Sequence, residues 1–108
     1  MLFATQVAPL FRAKCSASCH GGNWQGTAAQ IRTRLLGTTP GGQACANMPR
    51  IVVNNSANSL VMRKLLGTQT CGGKMPRVQN RDCMNAECMS ATDIQLVGRW
   101  IDQGALNN

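Results

Sequence analysis

Six cysteines set against only four aromatic rings, two Trp and two Phe with no Tyr, most constrain how this chain can fold. A chain of 108 residues buries roughly two-thirds of its surface on folding, enough for one modest core. A core so poor in large side chains calls for a covalent staple, a metal or a bound cofactor to complete it. Six thiols likewise point to an oxidising compartment, or to a group that consumes them. The length fits a single domain over residues 1–108. An apolar content of 44% with 14% charged residues argues against disorder. No apolar run reaches about 18 residues, so no transmembrane segment is expected. Met1-Leu2-Phe3 leads into a mixed segment, not a basic n-region and apolar h-region, so an exported protein would stand here without its leader.

Eleven Lys and Arg against four Asp and Glu give a net charge of +7. Such a balance favours acidic partners or a bound anion. The basic residues are scattered, no run exceeds two, and no aromatic residues interleave with them to stack bases. Nucleic acid is therefore not expected, and a solvated basic surface is the simpler reading.

Apolar spacing and capping signals outline four helices. Phe3, Val7, Leu10 and Phe11 place a short helix from near Gln6 into Cys15, with Pro9 tolerated in its first turn. Thr27-Ala-Ala-Gln30 is a capping box, followed by Ile31 and Leu35 on one face and Gly37 as the stop. Ile51-Val52-Val53 is extended but too short to found a sheet. Ser56 to Gly67 reads as a third helix, and Thr92 with Gln95 three residues later caps a fourth that ends at Gly104. Thr68 to Glu87 is read as a long irregular stretch. The outcome is a small all-α domain whose long loops need something to wrap around.

One string carries chemistry: Cys15-Ser-Ala-Ser-Cys19-His20. It is the Cys-x-x-Cys-His signature of c-type haem attachment with one extra spacer. Two thiols add across the haem vinyl groups, and the following His supplies an imidazole to the iron. Two plainer readings compete. One is a local disulfide, or two buried thiols beside a surface His. The other is a Cys₃His zinc site drawing on one of the four remaining cysteines.

Haem with a single His needs a second axial ligand or an open face, and the chain has no second His. Met75, in Gly72-Gly73-Lys74-Met75-Pro76, is the candidate thioether, since small residues admit the backbone close to a ring. Met48, in Asn47-Met48-Pro49, is its competitor, whereas Met62 and Met89 read as filler. Trp24 is either a donor to a haem propionate or simply core. The four other cysteines allow three pairings.

These blocks resemble a class I cytochrome c domain with a variant Cys-x-x-x-Cys-His motif. The resemblance runs from the Val7-x-Pro9-Leu10-Phe11 segment into Cys15–Gly21. It continues through Cys45-x-x-Met48-Pro49, Ser59-Leu60-Val61 and Cys71-Gly72-x-x-Met75-Pro76 to Trp100–Ala105. It implies a cytochrome c-like helical fold wrapped around one haem c, held by Cys15 and Cys19, with His20 and Met75 on the iron. It further implies that the first and last helices meet through Phe11 and Trp100, and that Cys45 pairs with Cys71. Val78 to Met89 looks like an insertion relative to that family. Cys83 with Cys88 is then the favoured second pairing, closing a short loop worth about 2 kcal/mol.

The function expected is one-electron transfer, without enzymatic activity, in the periplasm or another exported location, alone or as a module of a larger redox protein. Lys14, Lys74 and Arg77 flank the candidate ligands and would orient an acidic redox partner. The rivals are a haem enzyme or ligand sensor with a displaceable Met75, and a haem-free secreted binding module with three disulfides.

Overall fold

The computed structural model describes residues 2–15, 24–42, 44–79 and 81–108. Helical backbone begins at Phe3, earlier than the apolar spacing suggests, as a wide π-type turn over Phe3–Val7. It tightens into α1, Ala8–Lys14, where Pro9 sits in the first turn and its missing N–H costs nothing. The capping box at Thr27 and Gln30 forms as expected and opens α2, Ala28–Leu36, with Gly37 as its C-cap.

The expected third helix is broken in two. Ser56–Asn58 makes one tight 3₁₀ turn, and α3, Leu60–Leu66, follows after Ser59. Ser59 is fully buried, and its hydroxyl accepts from the Val52 N–H at 2.8 Å and donates to the Asn55 carbonyl at 2.9 Å. A hydroxyl that satisfies the neighbouring loop holds its own backbone extended, so the helix restarts at Leu60. Gly67 closes α3 in the left-handed conformation, φ 80°, a cost-free geometry for glycine.

The last helix, α4, spans Ala91–Asp102 and is capped by Ser90, whose hydroxyl accepts from the Asp93 N–H at 3.1 Å. The cap thus lies two residues ahead of Thr92, which is exposed within the first turn. With Ser90 as the cap, Asp93 lies in the first turn, at the positive end of the helix dipole.

The all-α, haem-wrapped fold class is corrected. Arg77–Val78 (β1) and Arg81–Asp82 (β2) pair as an antiparallel ribbon in the register Arg77↔Asp82 and Val78↔Arg81. The described residues therefore form a small mixed domain of four α-helices and a two-stranded sheet. Disulfides Cys45–Cys71 and Cys83–Cys88 staple the loops. The poor aromatic core has the covalent staples that it calls for.

That core lies between the Phe3–Val7 turn, α1, α2 and α4. Phe3, Val7, Phe11, Ile31, Leu35, Val97, Trp100 and Ile101 are almost completely buried in it. Its rings pair differently from the expectation of a Phe11–Trp100 crossing. Phe3 stacks on Trp100 with centroids 4.5 Å apart, and Phe11 stacks on Trp24 at 5.3 Å. Met62 and Met89 are core side chains. At Gly98 a Cβ would meet the Met62 methyl at 3.1 Å, so the absence of a side chain there lets α3 pack closely on α4.

Replacing Ser59 by Ala leaves the part-buried Val52 N–H without its acceptor. The expected loss is about 1–3 kcal/mol, read as a lower urea midpoint with an unchanged slope. An unchanged midpoint would show that this hydroxyl does not support the loop.

Candidate functional site

The attachment string begins where α1 ends. The Cys15 N–H donates to the Phe11 carbonyl at 2.9 Å, and the backbone then leaves the helix at φ −101°, ψ 89°. The Gln25 amide donates to the Arg12 carbonyl at 3.0 Å and to the Cys15 carbonyl at 2.8 Å. Arg12 Nε returns a bond to the Gly26 carbonyl at 2.9 Å. Residues 12–15 and 25–26 are thereby clamped together across 16–23, the segment that holds Cys19 and His20 and lies outside the described residues. Trp24 is buried against Phe11, with the Arg34 guanidinium 5.9 Å above its ring. Its ring is thus part of the core.

The thiols divide cleanly. Cys45 pairs with Cys71, and Cys83 with Cys88, which leaves Cys15 free. Cys15 is half-buried against the apolar core, and burial pushes its thiol pKa up to about 12. It is a neutral group at any ordinary pH, the opposite of an activated thiolate nucleophile. A Cys₃His zinc site would need a third thiolate, and four of the cysteines are committed to disulfides. The partner that a third disulfide would need, Cys19, lies outside the described residues.

The two candidate methionines sit in different surroundings. Met75 is half-buried, and its N–H donates to the Lys64 carbonyl of α3 at 2.9 Å. The carbonyl of buried Pro76 accepts from the Cys83 N–H at 3.1 Å. Gly72, at φ +65°, carries the chain under α3, where a Cβ would lie 2.6 Å from Lys64 Nζ. Burial, and then the charge of Arg77, hold the Lys64 ammonium below its ordinary pKa. Met48, in contrast, has its sulfur 3.7 Å from Cys71 Sγ, packed against the Cys45–Cys71 staple. Its backbone exchanges bonds with Thr39, the N–H onto Thr39 Oγ1 at 3.1 Å and the carbonyl from the Thr39 N–H at 2.9 Å. Met48 is part of a stapled loop.

Two of the three cations expected around the site have internal partners. Lys14 Nζ donates to the Ala86 carbonyl at 2.8 Å, and Arg77 pairs with Asp82 at 3.0 Å. The Lys74 stem lies beside Gly67. The Lys14–Ala86 bond links the end of α1 to the 77–88 segment, which in turn holds Pro76. Cys15 and Met75 are therefore connected through that segment. Sequence reasoning missed Gln25 and the Ala86 carbonyl, because both act through main-chain acceptors that no side-chain motif announces.

No family model, curated protein or solved structure matches the chain. Among the described residues, no helix is long and apolar enough to cross a membrane. Two disulfides are compatible with an oxidising, exported setting.

Cys15 burial adds stability that is fully present below the ordinary thiol pKa of 9.0 and is lost as pH climbs toward 12. In the bare polypeptide carrying Cys19→Ser, Cys15 should be alkylated at pH 8 about a thousandfold more slowly than in the urea-unfolded chain. Equal rates in the two states would place this thiol in water.

Proposed function

We propose that the chain carries one covalently bound haem c and passes single electrons, without catalysing a reaction of its own. The observation that carries this reading is the partition of thiols. Two disulfides take four cysteines, and the free Cys15 stands in apolar surroundings at the end of α1, directly ahead of Cys19 and His20. A thioether is neutral, and a half-buried apolar position favours a neutral sulfur over a thiolate. The residues present therefore fit haem attachment better than zinc or a reactive thiol.

In this reading Cys15 and Cys19 anchor the group, and His20 and Met75 fill its axial positions. Met48 is set aside because its sulfur packs on the Cys45–Cys71 disulfide. Trp24 and Phe11 stack in the core at the two ends of the clamp that brackets residues 16–23 in sequence. When bound, such a haem supplies a ferric–ferrous couple whose potential a methionine ligand raises. The chain's own work is to bind it and hold the Met75 loop closed, which keeps exogenous ligands away from the iron. The resemblance to class I cytochromes c suggests the same role, either as a free carrier or as a module of a larger redox protein. The net charge of +7 suits an acidic protein partner, and the disulfides suit the periplasm or another exported location.

Intact mass and a reduced-minus-oxidised spectrum, taken on protein matured with the c-type attachment machinery, test the reading. The expected mass exceeds that of the polypeptide by one haem. The spectrum should show a six-coordinate iron whose methionine signature survives Met48→Leu and disappears in Met75→Leu. A colourless product at the bare polypeptide mass would sink it, and tight azide binding to the untouched ferric protein would favour the haem-enzyme rival.

A further inference from the structure

Met75 is bracketed by two backbone bonds that belong to different parts of the fold. Its own N–H is tied to α3 through the Lys64 carbonyl, at 2.9 Å. The carbonyl that follows it, on Pro76, is tied at 3.1 Å to the N–H of Cys83. Cys83 is buried and belongs to residues 77–88, a segment closed on itself in several independent ways. The β1–β2 ribbon pairs Arg77 with Asp82 and Val78 with Arg81. Arg81 forks onto Glu87 with bonds of 2.9 and 3.0 Å, and Glu87 also accepts the Met84 N–H at 2.9 Å. The Cys83–Cys88 disulfide then locks the two ends of the second half together. Just beyond it, Met89 is sunk in the core.

This closed segment is tied over a long range by the 2.8 Å bond from Lys14 Nζ to the Ala86 carbonyl. Lys14 immediately precedes Cys15. Residues 77–88 therefore run from the neighbour of the first attachment thiol to the neighbour of Met75. The exposed Arg81–Glu87 pair is screened by salt and secondary. The covalent clasp holds the segment together, and the solvent-exposed Lys14 bond ties it to the end of α1.

We propose that residues 77–88 form a strap that positions Met75 and resists its displacement, with Cys83–Cys88 as the clasp and Lys14 as the strut. This rests on Met75 being the axial thioether. A competing ligand reaches the iron only while the Met75 loop is open, so its apparent affinity scales with the open fraction. The strap keeps that fraction small. Cys83, Cys88 and Lys14 are thus positioning residues, acting through the Pro76 carbonyl and the end of α1.

The test is an imidazole titration of the ferric holoprotein, followed by loss of the methionine signature. Cys83→Ser with Cys88→Ser should raise imidazole affinity about tenfold, and Lys14→Met about two- to threefold. The urea midpoint of Lys14→Met should stay at that of the parent, which separates displacement of Met75 from global destabilisation. Imidazole affinities equal to the parent's in both variants overturn the strap. If the double variant does not fold, the Lys14→Met titration decides alone. A protein without covalent haem would sink the functional reading instead. Hydrogen exchange at the Met75 amide of the bare polypeptide then judges the strap, quickening in Lys14→Met if it is real and staying unchanged if it is not.

Discussion

The stack of Phe3 on Trp100 is the contact on which the other elements depend. It joins the first helical turn to the last helix and buries both rings almost completely. Two such side chains dominate the energetics of a core that has only four rings in all. The indole N–H donates to the Leu106 carbonyl at 2.8 Å, which folds the chain after α4 back over Trp100. The returning segment then ties in the rest. Ala105 accepts from Arg32 of α2 at 2.9 Å, and the Asn108 carbonyl accepts from the Ala4 N–H at 3.1 Å. On the other side of α4, Ile101 accepts from the Asn54 N–H at 3.0 Å, and Asp102 takes both the N–H and the hydroxyl of Ser56 at 2.8 Å. The helix is thereby a hub between the two halves of the sequence.

Much of this was legible wherever a signal is local. The Thr27–Gln30 capping box, the Ile31–Leu35 face and the Gly67 stop depend on residues within a few positions of one another, and they formed as read. Signals that depend on partners far away were misread. Ser59 looks like an ordinary helix position until the Val52 N–H arrives to use its hydroxyl. Thr92 and Ser90 are both acceptable caps, and the helix starts from Ser90. The ribbon was invisible because strands of two residues carry no alternation, and its turn places Gln79 at φ 52° without the glycine that usually marks such a turn. The ring pairing followed the resemblance when it should have followed Phe3. The site shows the same split. The Cys15–His20 string is a compact motif, but the segment joining it to Met75 is built from main-chain carbonyls and from cysteines whose pairing sequence alone leaves open.

The excess of basic residues takes on a different meaning once their partners are known. All four acidic residues are used within the fold. Asp82 and Glu87 pair with Arg77 and Arg81, Asp93 sits at the start of α4, and Asp102 holds Ser56. Many of the cations are directed at carbonyls instead. Arg12 bonds to Gly26, Lys14 to Ala86, Arg32 to Ala105 and Arg50 to Arg34, the last at 2.8 Å. A chain with long loops leaves many carbonyls outside regular ladders, and buried ones must find donors. Arg and Lys, which have several donors and no acceptor, suit that task, and a bond to a charged donor is stronger than a neutral one. Burial, and then the nearby Arg34, keep the Arg50 guanidinium below its ordinary pKa, so this clamp carries an electrostatic cost that a carboxylate partner would have offset.

Local structural duty and long-range charge are therefore compatible in the same side chains. A guanidinium that donates to a carbonyl keeps its full positive charge, whereas one in an ion pair with a carboxylate contributes little field at a distance. Carbonyl clamping thus preserves the +7 as an unneutralised field while stabilising the loops that generate it. The two roles differ in their response to salt. Attraction between exposed charges falls off beyond a Debye length of about 10 Å at 0.1 M, while a hydrogen bond to a carbonyl at contact is barely screened. Added salt should then screen the surface field well before it loosens the fold.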